Sequence, residues 1–179
     1  ANQIFNIRNN AAPTISANWT VSGAGSRVVL GDGTNPCTFT VPGVLVFTAT
    51  CTISNNGTLR VTSTAGTPYS GTLTVSGGGT YEHAKNGGTI PAAPWKSASN
   101  CIITGITNAD LNEPNSLGQN FGNLTWNSSA QSIEINMYYL ANGGSVTGDF
   151  NVINTGSGYL RISNSSNPTL NIGGDFNIA

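Results

Sequence analysis

The sequence predicts an all-β protein: a right-handed parallel β-helix of about six coils with three short strands per coil. Three observations carry that expectation. Six short runs alternate apolar and polar residues: Cys37–Val41, Thr58–Val61, Thr72–Val75, Ser132–Ile135, Tyr159–Ile162 and Thr169–Ile172. Period-two alternation is the mark of a strand buried on one face. No stretch carries an apolar period of 3.6. Finally, Val146-Thr-Gly-Asp-Phe-Asn-Val152 returns 26 residues later as Ile172-Gly-Gly-Asp-Phe-Asn-Ile178. A repeat of this length holding three short strands is one coil of a solenoid, which buries its apolar face only by stacking on its neighbours. A β-sandwich would not produce the 26-residue copy.

The elements follow in chain order. Residues 1–25 are expected as an N-terminal cap segment, with Trp19 plugging the end of the solenoid. A fainter spacing of 21–22 residues links Leu59, Tyr81, Ile102 and Leu124 as one stacked column. Aligning Gly79–His83 with Gly174–Ile178 sets Tyr81 over Phe176 and His83 over Ile178, both inward. The same alternation turns Arg60, Glu82, Glu134, Arg161 and Asn171 outward, and Asn127, Asn136 and the many Thr and Ser are candidates for outer or corner ladders. Residues 84–100 and 108–120 break the rhythm and read as loops protruding from a corner, where function usually sits on a rigid scaffold. Residues 1–179 thus form one β-helix domain. Its last strand, Gly173–Ala179, would expose apolar core if uncapped, so the domain is expected to be cut from a larger secreted protein.

Composition narrows the function. Charged residues make up 7% of the chain and the net charge is −1, while Gly, Asn, Thr and Ser number 23, 24, 22 and 18. Nucleic acid is excluded as a partner for want of a basic cluster, and no apolar run is long enough to span a membrane. Low charge and small polar residues suit a secreted or cell-surface β protein. Ala1 opens a polar segment without the basic-then-apolar start of a signal peptide, as expected of a mature or excised piece. Of Cys37, Cys51 and Cys101, the first two are spaced for a disulfide across neighbouring strands; three buried thiols are the alternative.

The stretch Tyr81-Glu-His-Ala-Lys-Asn-Gly-Gly-Thr-Ile-Pro91, with Trp95, Cys101–Thr107 and Asn120–Asn127, resembles β-helical domains of large exported Bacteroidetes proteins, as do the Gly-Asp-Phe-Asn repeats. The likeness covers roughly residues 26–179. The chain is also similar to the parallel β-helix carbohydrate-binding modules attached to xylanases. That resemblance implies binding to xylan-type plant polysaccharide by a domain covalently linked to a catalytic one. The first resemblance implies a stalk or adhesin domain of a giant surface protein.

The chemistry in the residues points to binding rather than catalysis. Seven carboxylates form no hydrolase motif, so the chain is expected to be no enzyme and to need no cofactor. His83 is the single histidine, and no Cys/His spacing fits zinc. Sugar binding needs an apolar platform and a few planar hydrogen-bonding groups. Trp95 beside Lys96 is one candidate platform, its alternative role being a plug that anchors the loop. Tyr138, placed outward beside Glu134, and its neighbour Tyr139 form another; Tyr69 and Tyr159 lie in turns. Glu82, Lys85 and Glu134 are outward charges in a chain with few, and complete the candidate carbohydrate site with Trp95, Lys96, Tyr138 and Tyr139. Trp126 reads as core. Thr38/Thr40 and Thr72/Thr74 raise ice binding as a third function, weakened because the later coils lack such pairs. Asp149 and Asp175, one coil apart, either share a cation or are satisfied by backbone N–H groups at a turn; two carboxylates are few for calcium, which favours the turn.

Overall fold

A computed structural model shows a parallel β-solenoid of about six turns. It describes residues 3–15, 19–21, 25–42, 45–47, 50–62, 72–162 and 168–179, with the side chains of Trp19 and residues 45–47 left aside. The chain visits three faces in rotation. The first carries β1 (Ile4–Ile7), β3 (Arg27–Leu30), β6 (Thr50–Ile53) and β8 (Thr72–Val75), and farther along the axis β11 (Asn120–Phe121) and β14 (Ser145–Val146). The second stacks seven strands: β4 (Cys37–Val41), β7 (Gly57–Val61), β9 (Thr80–His83), β10 (Asn100–Ile103), β12 (Asn123–Asn127), β15 (Phe150–Asn154) and β17 (Phe176–Ile178). The third holds β2 (Trp19–Val21) against β5 (Leu45–Phe47) and β13 (Glu134–Asn136) against β16 (Tyr159–Arg161). Every pairing between these strands is parallel.

Parallel in-register stacking turns alternation into columns. On the second face one inward column runs Phe39, Leu59, Tyr81, Cys101, Leu124, Phe150 and Phe176. The next runs Val41, Val61, His83, Ile103, Trp126, Val152 and Ile178. Tyr81 therefore shares a column with Phe176 and His83 with Ile178, as the alignment of Gly79–His83 with Gly174–Ile178 expects, and Trp126 is fully buried. One expected member was displaced by a residue. Cys101, not Ile102, occupies the column with Leu59 and Tyr81, and Ile102 points outward between Glu82 and Thr125. The coil length varies here, with Thr80 pairing Asn100 but Asn100 pairing Asn123, so no single spacing tracks it.

In the N-terminal segment β1 and β2 pair with β3 and β5, and Thr14 bridges Thr40, so its described residues stack on the next coil. The side chain of Trp19 and residue Tyr69 lie outside the described set. The stretches 84–100 and 108–120 do not protrude but lie on one another: Gly88 bridges Leu111, Asn112 N donates to Gly88 O at 2.8 Å, and Ile90, Leu111 and Leu117 are buried. Thr169–Ile172 forms no strand beyond one bridge, Val146 to Ile172. The three cysteines are free and buried. Cys51 sits in the first-face column between Val28 and Leu73, where burial pushes its thiol up to about 12, while Cys37 on the second face directs Sγ to Ile7 O at 3.0 Å.

Side-chain amide ladders and close backbone approaches tie neighbouring coils together. Asn123 Nδ2 donates to Asn100 Oδ1 at 3.1 Å, and Asn177 Nδ2 to Asn151 Oδ1 at 2.9 Å. At Gly57 a β-carbon would lie 2.3 Å from Leu30 O in the neighbouring coil, a contact with backbone that no rotamer relieves. At Gly33 a β-carbon would meet nothing within 4 Å, but φ is +85°. Gly57→Ala is therefore expected to lower unfolding free energy by roughly 3 kcal/mol, through forced separation of two coils, against about 1 kcal/mol of backbone strain for Gly33→Ala. Urea titration of both variants checks the order, and equal losses would contradict the steric reading.

Candidate functional site

The seven expected site residues do not converge. Glu82 lies on the second face, where it accepts Thr104 Oγ1 at 2.9 Å and pairs with Arg60 Nε at 3.4 Å. Glu134, on the third, pairs with Arg161 Nη2 at 2.6 Å and accepts a very short hydrogen bond from Tyr159 Oη. Both outward acids are thus matched by groups on an adjoining coil. Tyr138 and Tyr139 open α1 (Tyr138–Ala141), one helical turn where an extended strand end was expected. Asn136 Oδ1 accepts the Tyr138 backbone N–H at 2.9 Å and ends the strand, so Tyr138 does not stand beside Glu134 by alternation. The two tyrosines are half-buried and meet edge to face at 5.3 Å.

Lys85 was expected outward and is 3% exposed. The alternation that buries Tyr81 and His83 continues into it, and its apolar stem can follow. Glycine makes the room: a β-carbon on Gly88 would lie 2.9 Å from Nζ, and one on Gly105 2.1 Å from the Lys85 backbone nitrogen. Burial lowers its ammonium pKa. His83 is inward and satisfied, with Nε2 2.9 Å from Gly87 O and Nδ1 3.2 Å from Tyr81 Oη, which fits Nε2–H donating and Nδ1 accepting.

Trp95 and Lys96 lie on the first face. Val75 bridges Trp95, which places the indole in the inward column rather than on a loop tip. Its ring packs on Phe121 at 5.0 Å and against Tyr81 at 6.1 Å, near perpendicular, and Nε1 donates to Gln119 Oε1 at 2.9 Å. Trp95 is thus the anchor of its segment, yet it is only half-buried. Its remaining surface lines an open cleft of about 570 Å³ with Ala92, Ala93, Pro94, Gln119 and Asn120. Lys96 is exposed beside it. The cleft carries no charged lining residue, and its volume falls in the range of ligand pockets, about 300–1,000 Å³.

Gln119 was not among the expected residues, and it builds the cleft. Its Oε1 also accepts Ala93 N at 3.2 Å, while Nε2 reaches Ile90 O, Asn115 O and Ser116 O at 3.3, 2.9 and 3.0 Å. One amide thereby ties 90–95 to 115–119. A lone Gln in a polar run offers no sequence signal for this. Also unforeseen is the approach of Asp110, Glu113 and Glu134. Burial raises the Asp110 pKa, helped by Glu134, and burial with the nearby Asp110 lifts Glu113 to about 7 against the opposing Leu117 N–H. Among the described residues no group of three or more His, Cys, Asp or Glu is arranged to hold a metal ion.

Asp149 and Asp175 take the backbone solution, across coils rather than within one turn. Asn123 Oδ1 accepts Asp149 N at 3.0 Å, and Asp149 Oδ1 accepts Asp175 N at 2.9 Å. Thr50 and Thr52 stand in register with Thr72 and Thr74, but the columns continue to Arg27 and Ile4 and to Val29 and Asn6, so a flat threonine array spans two described coils.

Comparison with models of protein families, with curated proteins and with solved structures finds no match.

Two tests follow from this chemistry. His83 is held at about 4, below its ordinary 6.5, chiefly by burial, so its stabilising contribution is lost as pH falls from 6.5 through 4. Glu113, raised from 4.5 to about 7, contributes below 4.5 and loses that contribution as pH rises through 7. Between 4.5 and 6.5 the slopes oppose. Glu113→Gln is expected to unmask the histidine, stability then falling by about 3 kcal/mol from pH 6.5 to 4; an unchanged pH profile would refute the pairing. Chelator is expected to leave the melting temperature unchanged, and Asp175→Asn to be nearly neutral by calorimetry, because the 149–175 contact uses the Asp175 backbone.

Proposed function

We propose that the protein is a non-catalytic carbohydrate-binding module of a secreted polysaccharide-degrading system, recognising plant cell-wall polysaccharide, xylan foremost. The observation that carries this reading is the uncharged cleft beside Trp95. It joins an indole and a proline, which suit the C–H face of a sugar ring, to the side-chain amides of Gln119 and Asn120. Rigidity supports it too: the Phe121–Trp95–Tyr81 stack and the Gln119 bond hold the platform before any ligand arrives. The non-catalytic part rests on the acids. Glu82 and Glu134 are engaged by Arg60 and Arg161, Glu113 by the Leu117 N–H and Asp110 by the Leu111 N–H.

A second reading, a stalk or adhesin unit of a surface protein, is favoured by the large apolar residues exposed toward the two ends of the solenoid. Ile4 and Phe5 are 47% and 40% exposed, and Phe176 and Ile178 are 41% and 71% exposed. Such surfaces suit stacking in series. Light scattering separates the readings, since concentration-dependent growth without glycan binding would favour the stalk.

Affinity electrophoresis in gels containing xylan is expected to retard the protein, and incubation with xylan to release no reducing sugar. Trp95→Ala is expected to weaken binding at least tenfold, about 1.4 kcal/mol, and also to lower the melting temperature, because the indole holds two aromatic neighbours. Trp95→Phe keeps the stack and is expected to retain most binding. A protein that passes xylan, cellulose and mixed-linkage glucan gels without retardation would refute the reading.

A further inference from the structure

The cleft lies within a longer outward column on the first face. Thr52 stands in register with Thr74. Val75 N donates to Pro94 O at 3.2 Å beside the Val75–Trp95 bridge, which sets Pro94 next to Thr74 along the axis. Asn120 shares the cleft with Pro94 and is in register with Ser145, whose Oγ donates to Asn120 Oδ1 at 2.8 Å. Val146 N donates to Asn171 O at 2.9 Å and continues the series. From Thr52 the column reads Thr52, Thr74, Pro94, Asn120, Ser145, Asn171, none of them charged; before Thr52 it passes to the apolar Val29, which ends the run of polar and proline rungs. The other faces differ: the second carries Arg60 and Glu82 in one outward column, and the third carries Glu134 and Arg161.

Spacing gives the column a meaning. Stacked parallel strands repeat at about 4.8 Å. An extended β-1,4-linked sugar chain advances by nearly that distance per residue, so each rung meets a new sugar at the same height. An α-linked, helically coiled chain has no such match. Hydroxyl and amide groups on successive rungs then meet successive sugar hydroxyls, while the indole and proline face one ring at mid-column.

We propose that this column is a linear binding track on which an uncharged β-1,4-linked glycan lies parallel to the solenoid axis, one sugar per rung, centred on the Trp95 cleft. The proposal rests on the carbohydrate-binding reading and adds orientation, length and charge preference to it. Six rungs imply a site about six sugars long, with subsites at Thr74 and Ser145 flanking the aromatic one. Because recognition is by uncharged groups, binding changes little with added salt.

Calorimetric titration with xylo-oligosaccharides of two to eight sugars tests this. Affinity is expected to climb with each added sugar and level off near six. Thr74→Arg and Ser145→Arg, placed on either side of the cleft and outside its lining, are each expected to weaken xylohexaose binding about fivefold or more. Thr125→Arg, outward on the second face, is expected to leave it unchanged. Circular dichroism melts of all three confirm that the coils are intact, and if either track variant unfolds, Thr74→Asp and Ser145→Asp replace it. Affinity that levels off at two or three sugars, or binding lost in Thr125→Arg but kept in both track variants, would overturn the track and leave the carbohydrate reading standing. No titration signal with any oligosaccharide, together with no retardation on xylan, would remove both.

Discussion

Everything in this molecule depends on parallel strands hydrogen-bonding in register from one coil to the next. A residue's neighbour on each side is the residue at the same position one coil away, so side-chain chemistry is organised in columns rather than in contacts along the chain. An apolar column buries itself, as Phe39 through Phe150 does across the second face. Charges on neighbouring coils are matched by opposite sign: Arg60 stands over Glu82 in one column, and Glu134 pairs diagonally with Arg161 of the neighbouring column. A carboxylate over a carboxylate would repel, and at Asp149 and Asp175 the upper side chain is instead engaged by the backbone N–H of the lower residue.

That constraint explains how far the sequence could be read. The parallel solenoid, the inward placement of Tyr81 and His83 and the stacking of the Gly-Asp-Phe-Asn segments follow from alternation and a repeat, both of which are local patterns. Legibility ended where coil length changed. Partners such as Cys37 and Gly57 are closer in sequence than Phe150 and Phe176, so a column extrapolated at fixed spacing picked Ile102 in place of Cys101. Charge misled in a different way. Lys85 continues the inward alternation of Tyr81 and His83, but its ammonium suggested solvent; two glycines, Gly88 against its ammonium and Gly105 of the next coil against its backbone, make burial possible. The cleft was legible only in part: Trp95 stood out by type, whereas Gln119 and Asn120 belong to the site through a pairing between two irregular segments.

Those irregular segments also show why the cleft lies where it does. Along the first face the regular ladder lapses between β8 and β11, where Trp95 makes a single bridge to Val75 and β11 has two residues. Backbone groups that would have been satisfied by a neighbouring strand need other partners. Gln119 supplies them, accepting from Ala93 and donating toward Ile90, Asn115 and Ser116, so one side-chain amide replaces a stretch of missing sheet. The indole fills the inward column and overflows it, because a large ring on Phe121 and Tyr81 cannot be enclosed by Ala92, Ala93 and Pro94. The cleft is therefore a consequence of interrupted stacking stabilised by a half-buried aromatic group. The same residue that closes the core presents the apolar surface, so structural and recognition roles at Trp95 are aspects of one packing solution. Separating them takes substitutions that keep the stack and alter only the rim.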